Sequence, residues 1–191
     1  GLSKWCGAGG WRLGFFVFPQ GLSWLADAMA AVASETFTST SAPIQYAAVS
    51  ALEDRPEMHD YMLHSRQILA ALAGHASRTL SNAGAELSQS AGGFYLFPRF
   101  ETHRAELAKR GIDNGQEFCE RLLEETGVAI LPGNCFGRPD LELSARLAVV
   151  DFDGAQALQK AASETIDEDF IKRHCSRVTS AVERLADWAS G

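Results

Sequence analysis

The cysteines of this sequence do not come in pairs. Cys6, Cys119, Cys135 and Cys175 stand far apart, without the CxxC spacing of a structural zinc site or the density of a disulfide framework. Reduced thiols in the cytoplasm are the reading they support, with no metal. His59 and His64 are five positions apart and do not share a helix face as ligands would, and His75, His103 and His174 are scattered. Positive charge is short as well. Lys and Arg total 17 against 24 Asp and Glu, a net charge of −7, and the basic residues form no patch, which argues against a nucleic-acid partner. No stretch approaches the roughly 18 uninterrupted apolar residues of a membrane span. The first residues lack the basic region and apolar core of a signal peptide. Internal repeats and low-complexity tracts are missing too. Position 1 is Gly1 and not methionine, and the chain is expected to be a piece of a longer polypeptide.

What is present is a globular chain. With 46% hydrophobic residues in 191 it can bury a core as one domain or two small ones. The apolar run "LGFFVFP" reads as a strand buried on both faces, as in a parallel sheet. Leu22, Leu25, Met29 and Val32 recur at helical spacing, and the Thr/Ser-rich "TFTSTSAP" precedes a helix over about 43–53 with proline at its start. From Pro56 the spacing of Met58, Tyr61, Met62, Ile68, Leu69, Leu72 and Leu80 predicts one long helix ending at "SNAG". Beyond it, "GGFYLFPRF", "VAILPG" and "ARLAVVDF" read as strands, and "HRAELAKRG" and "GQEFCERLLEETG" as glycine-ended helices. The order β-α-α-β-β with terminal helices describes a small α+β unit. A last helix over about 170–189 would place Ile171, Val178, Val182, Leu185 and Trp188 on one face.

The opening segment carries the chemistry. In "SKWCGAGGWRLG", Lys4 follows Ser3 and is followed eight positions later by Arg12. A lone lysine is ordinarily a solvated charge, and the surrounding pattern is what singles this one out. "GAGGW" is no dinucleotide loop, because the strand, helix and downstream acid of that fingerprint are not arranged around it. The segment resembles the Schiff-base lysine motif of the class I/II aminotransferases, the fold type I pyridoxal phosphate enzymes. "TSTSAPIQYAAVSAL" is similar to the family's loop and helix near the neighbouring subunit, "GGFYLF" to the first strand of its small domain, and "LPGNCFG" with "LSARLAVV" to its carboxylate-binding arginine segment.

The resemblance implies an α/β fold of type I. Residues 1–55 would be the tail of the large cofactor-binding domain, 56–84 a long linking helix and 85–191 the small α+β C-terminal domain. It implies pyridoxal 5'-phosphate as cofactor, Lys4 forming the internal aldimine, Arg12 gripping the cofactor phosphate with Ser3 beside it, and Arg146 binding the substrate carboxylate. Amino-acid and 2-oxo-acid substrates and a homodimer go with it. Gly1 stands where many members carry serine or threonine. The family's aspartate for the pyridine nitrogen, its ring-stacking aromatic and its glycine-rich phosphate loop would lie before Gly1, so the isolated chain is expected to be inactive.

The residue types suit those roles independently. An imine with an aldehyde needs a primary amine, which only lysine offers, and planar guanidinium groups hold phosphate or carboxylate with two parallel charge-assisted hydrogen bonds. An arginine inside the apolar "ARLAVV" must also find an anion. Alternatives stay open: a fold type I lyase or decarboxylase, a non-catalytic fragment that dimerises or regulates, or a hydrolase in which Lys4 activates Ser3, against which adjacent residues of an extended segment point to opposite faces. Phe94 and Tyr95 read as strand core in preference to substrate contacts, and Ser39 and Thr40 as either turn chemistry or an intersubunit contact.

Overall fold

The computed structural model describes residues 1–37 and 39–191; Thr38 of the Thr/Ser-rich loop lies outside them. Two compact units divide the chain, Gly1–Leu63 and His64–Gly191.

The first unit begins with a single helical turn, α1 (Leu2–Trp5), and a 3-10 turn over Gly9–Trp11. Helices α2 (Ser23–Thr36) and α3 (Ala42–Leu52) follow, with Pro43 in the first turn of α3, where its missing N–H costs nothing. The strand expected in "LGFFVFP" is not formed. A strand exists only through a ladder with a neighbour, and among the described residues no other segment pairs with this one. Phe16 and Val17 are 75% and 83% exposed as a result.

Helix α4 (Pro56–Asn82) is the long helix predicted from the apolar spacing. Along its second half Ile68, Leu72, Ala76 and Leu80 are buried at intervals of four, one stripe of the helix surface.

The second unit holds a three-stranded antiparallel sheet in the order β1 (Tyr95–Leu96), β3 (Ala145–Ala148), β2 (Leu131–Pro132). Its register pairs Tyr95 with Ala148, Leu96 with Leu147 and Leu131 with Arg146. Between β1 and β2 lie α5 (Arg104–Lys109) and α6 (Gly115–Thr126), and after β3 come α7 (Gly154–Ala161), α8 (Glu168–His174) and α9 (Ser176–Ser190). Side chains cap three of these helices: Asn114 accepts from the Glu117 N–H at 2.9 Å, Asp153 from that of Gln156 at 3.0 Å and Asp167 from that of Phe170 at 2.9 Å. Gly127, at φ +73°, closes α6 in the left-handed region.

The last helix is broken where continuity was expected. Cys175, fully buried, leaves helical geometry at φ −128° and ψ 31° and separates α8 from α9. Ile171, Val178, Val182 and Leu185 are nonetheless all buried. The core centres on Phe118, whose ring stacks on Phe100 at 4.6 Å and meets the edge of Trp188 at 5.1 Å.

Candidate functional site

Ser3, Lys4 and Arg12 occupy one closed loop of the first unit. The Leu2 N–H donates to the Leu13 carbonyl at 3.1 Å, the Ala8 N–H to the Leu2 carbonyl at 3.3 Å and the Trp11 N–H to the Ala8 carbonyl at 3.1 Å. Leu2 is fully buried and anchors α1, while Lys4 is exposed and Ser3 half-buried. The pair is helical and not extended, so their side chains diverge by about 100° around a helix. That still disfavours a hydrolytic Ser-Lys couple. Gly7 is required by position: at φ +68° a Cβ there would stand 2.7 Å from the Tyr61 hydroxyl oxygen.

Arg12 has the one positive φ outside glycine among the described residues, +53° with ψ 37°. Its guanidinium donates through Nη1 to the Gly9 carbonyl at 3.1 Å. An arginine held in the left-handed region costs on the order of 1–3 kcal/mol, and such outliers gather where a site fixes its backbone. The guanidinium is exposed, with four of its five N–H donors uncommitted to that carbonyl.

Arg146 stands in the second unit, on the central strand β3. Strand alternation turns Ala145 and Leu147 into the core and leaves Arg146 and Ala148 on the outer face. Arg146 is therefore half-exposed, and no burial forces it to find an anion as expected of a buried strand. Two aromatic rings hold it instead. Its Cζ lies 4.3 Å from the centroid of Tyr95 and 4.2 Å from that of Phe136. Among the described residues no carboxylate pairs with it.

Neither ring was expected here. Tyr95 is 43% exposed and not part of the core, because in the register it faces outward opposite Ala148, diagonal to Arg146. Its position in the alternation of "FYLF" is the signal that distinguishes it from Leu96. Phe136 ends the 3-10 turn Gly133–Phe136 that follows β2. This turn is pinned against β3 by the Gly133 N–H donating to the Ser144 carbonyl at 2.8 Å, an approach so close that a Cβ on Gly133 would fall 2.1 Å from Ser144 Oγ. Ion pairs brace its far side. Arg138 donates through Nε and Nη2 to the two oxygens of Glu142 at 2.9 and 2.6 Å, and this pairing draws the Glu142 carboxyl below its ordinary range.

Two cysteines and a histidine of the second unit are buried. Burial pushes the Cys119 thiol up to about 12 and that of Cys175 up to about 11, so neither is a nucleophile near neutral pH. His75, buried, meets Glu168 at 2.5 Å. Among the described residues no group of three or more His, Cys, Asp or Glu could hold a metal ion, and no helix is long and apolar enough to cross a membrane.

Known proteins of one kind resemble the chain. The family model for aminotransferase class I and II matches residues 1–163. A probable aspartate/prephenate aminotransferase from Aquifex aeolicus is 29% identical over 158 residues, which cover 81% of this chain and 38% of that protein. An aspartate aminotransferase from Thermotoga maritima is 32% identical over 139 residues, 73% of this chain and 32% of that protein. Among solved structures, an aromatic aminotransferase from Pyrococcus horikoshii superposes with a TM-score of 0.72 at 25% identity, covering 98% of this chain and 41% of that one. The chain thus spans between 32% and 41% of these proteins.

Proposed function

The chain belongs to the class I and II aminotransferases, and from that premise we propose that the polypeptide carrying it moves an amino group from an amino acid to a 2-oxo acid, with pyridoxal 5'-phosphate as cofactor. The family is generally dependent on that cofactor. When bound, pyridoxal phosphate supplies an aldehyde for covalent attachment and an electron sink for the carbanion.

The residues present fit such a group. One loop, closed on itself by the Leu2–Leu13 hydrogen bond, carries both an exposed primary amine and an exposed guanidinium on strained backbone. This juxtaposition carries the reading. Lys4 would hold the group through its primary amine, and the same Nζ would move a proton at the substrate carbon. Arg12 offers its uncommitted N–H donors to the phosphate oxygens, and the Ser3 hydroxyl offers one more. Arg146 presents a guanidinium edge to the α-carboxylate, which amino acids and 2-oxo acids share. Relatives named as aminotransferases favour amino transfer over lyase or decarboxylase chemistry on the same residues. A cytoplasmic homodimer accompanies this reading, supported by four unpaired cysteines and by the apolar side chains exposed in the first unit. The large domain's tail, the linking helix and the small domain are read as lying over 1–55, 56–84 and 85–191.

Arg12 offers the test. In the full polypeptide Arg12→Ala should raise the cofactor Kd at least tenfold, about 1.4 kcal/mol or more, and change the amino-acid KM far less. An unaltered cofactor Kd would remove Arg12 from the site.

A further inference from the structure

The carboxylate role of Arg146 leaves unexplained why the Cζ of a half-exposed guanidinium should lie 4.3 and 4.2 Å from the ring centroids of Tyr95 and Phe136. We propose that Tyr95 and Phe136 are positioning residues that clamp the Arg146 guanidinium by its faces and so restrict it to gripping a substrate carboxylate edge-on. This inference rests on the carboxylate reading of Arg146.

Topology supports the clamp. β3 is the central strand, Tyr95 comes from β1 on one side of it and Phe136 from the turn after β2 on the other. Ring centroids at 4.3 and 4.2 Å from Cζ are within the range in which a cation is attracted to an aromatic face. Rings on its faces leave a planar guanidinium only its N–H edges for a ligand, and those edges form the fork that matches a carboxylate. An arginine already ordered loses less freedom when it binds. Phe136 is itself held, since the ring of Phe97 meets it edge-on at 6.0 Å and its turn is fastened to β3 through Gly133 and Ser144. Nothing in the clamp reads the substrate side chain.

The test uses the full polypeptide loaded with cofactor, with aspartate, phenylalanine and alanine as amino donors. Tyr95→Leu and Phe136→Leu should each lower kcat/KM about three- to tenfold for all three donors, with the cofactor Kd unmoved. Tyr95→Phe and Phe136→Tyr, which keep a ring, should recover most of the loss. In an Arg146→Ala background the same leucine substitutions should cost little further, because the group they position is gone. Leucine variants with unaltered kcat/KM, or with equal losses in both backgrounds, would overturn the clamp while leaving the carboxylate role intact. If Arg146→Ala itself left kcat/KM unaltered, the carboxylate role would fall and the clamp with it. A second readout needs no turnover: in NMR spectra of the 191-residue chain the Arg146 side-chain protons should resonate upfield of the other arginines from ring currents, and return downfield in Tyr95→Leu. Unshifted resonances would also overturn the proposal.

Discussion

Among the described residues, the first 63 bury two apolar side chains, Leu2 and Ala48, whereas the rest of the chain buries a continuous core around Phe100, Phe118 and Phe170. Apolar content does not explain the contrast. The first unit displays Phe16, Val17, Trp24, Val32, Tyr46 and Val49 on its surface, side chains that elsewhere would be interior. Residues 64–191 share one buried core, while the first unit leaves large apolar side chains exposed. The proposed chemistry follows the same division, since Lys4 and Arg12 stand on the poorly buried unit and Arg146 on the well-packed one.

Substitutions should therefore act oppositely in the two units. Phe118→Ala removes a fully buried ring stacked on Phe100 and should cost about 3–5 kcal/mol in urea unfolding. Phe16→Ser, by contrast, should leave the unfolding midpoint unchanged and raise the solubility of the isolated chain. A comparable loss from both would erase the distinction. The effect next in size concerns the turn beneath Arg146. Gly133→Ala places a methyl group on Ser144 and should cost about 1–3 kcal/mol, with Ser144→Ala recovering part of it; full stability in Gly133→Ala would show that the turn yields.

The smallest effect is electrostatic and disappears in acid. Glu125 accepts hydrogen bonds from the Trp188 indole at 2.7 Å and from Arg121, which hold its carboxyl down to about 2. A carboxyl lowered on folding stabilises fully above its unfolded value, about 4.5, and loses that contribution as pH falls toward 2. Trp188→Phe removes the largest of these causes and raises the folded value part of the way, so the Tm gap between it and the parent should be widest at neutral pH and narrow between pH 4.5 and 2. A gap constant with pH would mean that only packing had changed.

Regular elements whose partners lie nearby in the chain were legible in the sequence. The apolar spacing from Pro56 marks α4, and Gly127 ends α6, because helix hydrogen bonds and caps are local. "LGFFVFP" forms no strand among the described residues because an apolar run specifies a preference for burial without supplying the neighbours that bury it. Arg146 was misjudged for a related reason: "ARLAVV" looks buried throughout, yet period-two alternation sends Arg146 outward. The break at Cys175 has no glycine or proline to announce it. The family resemblance singled out Lys4, Arg12 and Arg146, while the meeting of Tyr95 and Phe136 at Arg146 depends on strand register and on the turn after β2, which join residues distant in sequence.

The central claim is that Lys4 carries the cofactor, and chemical trapping tests it most directly. The full polypeptide would be incubated with pyridoxal phosphate, reduced with borohydride and digested for peptide mapping. A pyridoxyl group should appear on Lys4, its yield abolished by Lys4→Ala. A principal adduct on Lys109, Lys160 or Lys172 would contradict it.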